Sequence, residues 1–139
     1  MNNILITSAG QRVALVRCFQ ETLCRFFPDA KVYTTDMNPK LAPAAYVSDG
    51  CFDVPRVTSP NYIPQLLDIC KENQIGMIIP TIDTELLVLA ENKNLFEENN
   101  ILRFYFLLYE LLSPFIEIVG ILTMVLAFMV DLINIPFMI

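Results

Sequence analysis

Along residues 1–100, short continuous apolar runs alternate with longer stretches in which apolar positions recur every three or four residues. The first run, Asn3-Ile-Leu-Ile-Thr7, is apolar and β-branched and reads as a strand. Ser8-Ala9-Gly10 follows as a turn. Residues 11–27 then take up helical spacing: Val13, Val16, Phe19 or Gln20, Leu23 and Phe27 recur at three and four, with Arg12, Arg17, Glu21 and Arg25 between them. Pro28 and Asp29 stop that helix. Residues 31–35 form a second strand that ends at Asp36, so the opening of the chain reads as a βαβ unit.

The pattern continues in the same sense. Residues 37–49, rich in proline and alanine, predict one short helical turn over 41–46, and residues 51–54 a brief third strand ended by Pro55. A helix is predicted over 61–73, with Ser59 as N-cap, Pro60 at its first position, and Ile63, Leu66, Leu67 and Cys70 as its apolar face. Residues 76–80 are continuously apolar, as in a strand buried on both faces. After the turn Thr81-Ile82-Asp83, a helix is predicted over 84–98 with Leu86, Leu87, Leu89, Ala90 and Phe96 facing inward. Strand and helix alternate throughout. This predicts an α/β fold, a Rossmann-like doubly wound parallel sheet in three layers.

Composition divides the chain in two. The hydrophobic fraction is 55% of 139 residues, and the excess lies at the C-terminal end. From residue 101 to 139 only Arg103, Glu110, Glu117 and Asp131 are charged. The chain is therefore read as an α/β domain over 1–108 and an atypical hydrophobic tail over 109–139. The net charge of −6, with no basic patch interleaved with aromatics, gives no footprint for nucleic acid. Four cysteines (Cys18, Cys24, Cys51, Cys70) stand at no metal-ligand spacing, and the chain has no histidine. No metal site is expected, and neither a Ser-His nor a Cys-His pair can form. Reduced, buried cysteines in a cytoplasmic domain are the expectation, since the N-terminus has no basic, secretory-type leader.

Candidate chemistry gathers where strands meet helices. Ser8, Ala9 and Gly10 precede a helix whose free N–H groups favour an anion, although a single glycine stands where a dinucleotide turn wants three. A plain tight turn is the alternative. Arg12 is placed to hold an anion there or to be a solvated helix-start arginine. Asp36 ends the second strand, where a Rossmann domain puts its ribose-binding acid, or else caps the turn through Met37, Asn38 and Pro39. Thr81, Asp83 and Glu85 follow the fourth strand, at the carboxyl ends where open α/β sheets bind ligands. Asp83 is equally a candidate N-cap, and Glu85 a partner of the helix dipole. No carboxylate pair can be assigned acid and base roles, so no catalytic residue is named.

Five ordered segments carry a family resemblance: Asn3-Ile-Leu-Ile-Thr-Ser-Ala-Gly-Gln-Arg-Val-Ala-Leu-Val-Arg17, Val32-Tyr-Thr-Thr-Asp-Met-Asn-Pro39, Val54-Pro-Arg-Val-Thr58, residues 62–69, and Ile79-Pro-Thr-Ile-Asp-Thr-Glu-Leu86. Together they resemble the N-terminal, pre-ATP-grasp domain of ATP-grasp proteins related to the carbamoyl phosphate synthase large subunit. The resemblance implies a ligase that activates a carboxylate as an acyl phosphate for attack by an amine. In such enzymes the N-terminal domain holds a small carboxylate or amine substrate. ATP and Mg²⁺ are handled by two later domains, whose lysines, acidic ligands and glycine-rich loop do not occur in this sequence. The resemblance thus implies a truncated, substrate-side domain, inactive alone and without a cofactor of its own. A homo-oligomer is left open.

The tail admits two readings. Residues 111–130 make about twenty mostly apolar positions, interrupted by Pro114 and Glu117. That is marginal for a membrane span, where a central carboxylate costs about 2.5–3.5 kcal/mol, although Glu117 lies off centre. A non-catalytic α/β binding domain tethered to a membrane is therefore the alternative function. The second reading is a shifted frame. Residues 101–108, in AT-rich codons read one nucleotide earlier, become Ile-Lys-Val-Leu-Phe-Ser-Ser, which is similar to the family's fifth strand and link. In either case residues 101–107 can supply a fifth strand.

Overall fold

The computed structural model describes residues 2–103, with side chains through Ile101. The tail over 109–139, the remainder of the expected fifth strand and the segment 111–130 lie outside the described residues. Strands β1 (Asn3–Thr7), β2 (Val32–Asp36), β3 (Gly50–Asp53), β4 (Ile75–Pro80) and β5 (Leu102–Arg103) are joined by helices α1 (Val13–Phe26), α2 (Tyr62–Glu72), α3 (Asp83–Glu91) and α4 (Lys93–Glu97). The five strands make one sheet in the order β3-β2-β1-β4-β5, and every pairing is parallel. This is the expected Rossmann-like α/β fold.

Side-chain alternation along β1 builds the two outer layers. Leu5 faces one side, where it packs with Tyr62, Leu66, Ile78, Leu89, Phe96 and Ile101 beneath α2, α3 and α4. Ile4 and Ile6 face the other, with Val16 of α1, Val32 and Ile79. Leu5 and Ile6 are both fully enclosed, as a central strand covered on two faces requires.

Several boundaries differ from the sequence pattern, each for a local reason. The single turn expected over 41–46 is two 3₁₀ turns, Pro39–Leu41 and Pro43–Tyr46, because a proline restarts the chain at the head of each. Ser59 does not cap α2. Its Oγ accepts the Asn61 N–H at 3.3 Å, and the helix begins at Tyr62. The helix expected over 84–98 is broken at Asn92, whose Nδ2 donates to the Val88 carbonyl at 2.9 Å and competes with the backbone ladder. Leu87, expected inside, is 66% exposed. Two of the cysteines expected to be buried, Cys18 and Cys24, are exposed on the outer face of α1. Cys70 is enclosed, and burial pushes its thiol up to about 12.

Candidate functional site

Strand order reverses between β1 and β4, and it is beyond the carboxyl ends of strands at such a switch point that open α/β sheets bind their ligands. Two segments flank this point, the turn after β1 and the start of α3. The turn is bent by two positive-φ residues, Ser8 at 49° and Gly10 at 52°. Glycine adopts that geometry freely, whereas Ser8 gives up roughly 1–2 kcal/mol to hold it. The Gly10 carbonyl accepts the Ala44 N–H at 3.0 Å, which ties the turn to the segment after β2.

Beneath this point Glu85 is wholly enclosed, at 0% exposure, on the first turn of α3. Its carboxylate gathers three hydroxyls from three different elements. Thr7 Oγ1 donates to Oε2 at 2.6 Å, Ser8 Oγ to Oε1 at 2.5 Å, and the Tyr62 phenol to Oε1 at 2.8 Å. A buried carboxylate is tolerated only when partnered in this way. Burial and the adjacent Glu85 carboxylate push the Tyr62 hydroxyl well above the usual phenol range, so it stays a donor.

At the outer rim Arg12, the residue preceding α1, reaches across the strand gap. Its Nη2 donates to the Thr81 carbonyl at 2.9 Å, and its Nη1 lies 3.5 Å from the Ser8 carbonyl. Thr81 returns the link, its Oγ1 lying 2.8 Å from both the Thr7 and Ser8 carbonyls. The guanidinium is exposed, so its remaining donors face solvent and can take an anion.

Of the residues singled out from sequence, Ser8, Arg12, Thr81 and Glu85 come together at this one point, with Gly10 shaping the turn. Asp83 is exposed and is the first residue of α3, so it lies inside the helix rather than at the N-cap, which is Ile82. Asp36 stands apart, two strands from β4. Its Oδ1 accepts the Asn38 N–H at 2.9 Å, as a turn cap does. Next to it an open cavity of about 460 Å³ is lined by Met37, Asp53, Val54, Pro55, Arg56 and Gln65. Burial raises the Cys51 thiol there, a Thr34 hydrogen bond opposes this, and the Asp36 and Asp53 carboxylates add to the rise. Sequence reading missed Thr7 and Tyr62. Thr7 looked like the end of an apolar strand and Tyr62 like the start of a helix, and only a hydroxyl in each hinted at more.

Among the described residues no group of three or more His, Cys, Asp or Glu is arranged to hold a metal ion. Nor is any helix among them long and apolar enough to cross a membrane. No curated protein compared with the chain matches it. Residues 4–104 match the family described as PylC-like, N-terminal domain. That span covers the sheet from Ile4 onward, the turn after β1 and the start of α3, and on it the chain belongs to the PylC-like N-terminal domain family.

Proposed function

We propose that residues 1–108 form the substrate-side domain of an ATP-dependent carboxylate–amine ligase, and that the switch point between β1 and β4 holds the carboxylate of its small-molecule substrate. The match over residues 4–104 to a PylC-like N-terminal domain carries this reading. Resemblance to the carbamoyl phosphate synthase large subunit supplies the reaction class, in which a carboxylate becomes an acyl phosphate and an amine displaces the phosphate. Arg12 is the natural carboxylate partner: it is exposed, anchored by the Thr81 carbonyl, and keeps outward donors free. Thr81 and the turn at Ser8 and Gly10 orient it. ATP and Mg²⁺ would be handled outside this domain, as the family resemblance implies.

Three measurements test the reading. In the ¹⁵N-labelled full chain, added acetate should shift the Gly10 and Gln11 amides saturably, and Arg12→Ala should abolish the shift. An acetate response that is absent, or that survives Arg12→Ala, removes the proposed site. The pure chain should also show no Mg²⁺-dependent ATP turnover, and the gene downstream of codon 101 should encode ATP-grasp motifs in another frame. Turnover by the pure chain, or no such motifs in any frame, defeats the truncated-ligase reading.

A further inference from the structure

We infer that Glu85 is a positioning residue: its buried carboxylate, acting through the Ser8 hydroxyl, holds the turn after β1 in the one geometry that sets Arg12 across the switch point. The inference rests on the proposed carboxylate site and names what keeps that site in shape.

The contacts form a closed path. Glu85 is fixed within α3, where its backbone N–H bonds the Ile82 carbonyl at 3.2 Å and its side chain has no exposure. Thr7 on Oε2 and Tyr62 on Oε1 hold the carboxylate from β1 and α2, so it cannot swing. Its remaining short bond is to Ser8 Oγ. Ser8 is the turn residue whose backbone is strained. Thr35 also contacts the turn, through the Ser8 N–H at 3.4 Å and the Ala9 N–H at 3.2 Å. The Glu85 bond is the shortest contact opposing relaxation of Ser8. The Ser8 carbonyl is in turn the atom facing both Thr81 Oγ1 and Arg12 Nη1. A change in φ at Ser8 swings that carbonyl, and with it go the contacts that aim the guanidinium.

Glu85 itself is closed to a ligand. Both carboxylate oxygens are occupied and no part of the residue reaches solvent. A substrate ammonium would have to displace hydroxyls from beneath the turn to reach it. The residue therefore acts on the ligand through Ser8 and Arg12.

The test follows the Arg12 Nη–Hη resonances of the full chain by low-temperature NMR, alongside acetate titration. A guanidinium anchored through Nη2 to the Thr81 carbonyl gives a dispersed, slowly exchanging Nη2–Hη signal. Glu85→Gln keeps the shape but turns one acceptor into a donor. It should move that signal to the position of free arginine and weaken acetate binding about tenfold, with far-UV circular dichroism unchanged. Ser8→Ala cuts the link at its other end, in a turn rather than the core, and should give the same loss. It serves as the readout if Glu85→Gln does not fold. A folded Glu85→Gln, or Ser8→Ala, that keeps the wild-type Arg12 signal overturns the inference. If the wild type ignores acetate while the Arg12 signal still collapses in both variants, the substrate site is wrong and the positioning role stands.

Discussion

Tyr62→Phe removes a single oxygen from the hydroxyl cluster and leaves the ring, which is 1% exposed, to pack against the core as before. What is lost is one hydrogen bond of 2.8 Å to a carboxylate. Bonds to charged groups contribute about 1.5–3 kcal/mol. The lower end applies here, because Glu85 Oε1 keeps the Ser8 hydroxyl and is not orphaned. A loss of about 1.5 kcal/mol corresponds to a fall in Tm of about 6–12 °C for a domain of this size. In urea it corresponds to a midpoint shift of about 0.5–1.5 M with the slope unchanged. The assay is urea unfolding of the full chain followed by far-UV circular dichroism, in a mild non-ionic detergent that leaves the native spectrum unaltered. A variant within about 0.5 kcal/mol of wild type would show that the phenol does not bond Glu85, and the cluster as described would be wrong.

Other perturbations report on other parts of the molecule. A thiol reagent should modify Cys18 and Cys24 at once and Cys51 slowly, and should reach Cys70 only on unfolding; fast labelling of Cys70 in native protein would refute its enclosure. Stability should fall at alkaline pH. The Cys70 thiol is raised in the folded state from 9.0 to about 12, so its contribution is complete below pH 9 and is lost between pH 9 and about 12. The slope is at most about 1.4 kcal/mol per pH unit for that group, with Tyr62 acting in the same direction from above pH 10. A flat profile to pH 11 in urea midpoints would contradict this. Phe96→Ala empties a fully buried site under the sheet and should cost about 3–5 kcal/mol, read as loss of cooperative unfolding. A chain ending at residue 108 should be markedly more soluble than the whole, because residues 109–139 carry few charges to face water; equal solubility would count against that.

The strands were legible because each is a short run closed by a turn former, and an apolar run between such residues has few alternatives. The parallel sense followed from helical segments lying between successive strands, whereas the order β3-β2-β1-β4-β5 was not legible, because it depends on which side of β1 each later strand adds. The break at Asn92 was not legible. An asparagine inside an apolar helical pattern is common, and its side chain bonding back to Val88 depends on how the helix end meets the sheet. Leu86, Leu87, Leu89 and Ala90 are so densely apolar that the pattern does not define one face, and Leu87 was left outside. At the site, Ser8, Arg12, Thr81 and Glu85 were visible as residues at strand ends. Their division of labour was not, because it depends on contacts such as Thr7 to Glu85, 78 residues apart.

The chemistry of that cluster bears on why it exists. Replacing a buried polar group and its partners with apolar residues of the same shape is often neutral or even stabilising. Valine for Thr7, phenylalanine for Tyr62 and leucine for Glu85 would suit the surrounding core of Leu5, Leu66 and Ile78. Stability alone therefore gives no reason for a carboxylate and three hydroxyls at the centre of the switch point. A hydrogen-bonded cluster supplies direction, which apolar packing lacks. Each bond here fixes an angle between two elements, β1 to α3, the turn to α3, and α2 to α3. The element that most needs such a constraint is the turn, because Ser8 sits in a backbone geometry it would otherwise leave. Packing can fill the space beneath that turn, but a directional contact is what fixes its angle, and the residue whose contacts run through that turn to Thr81 is Arg12.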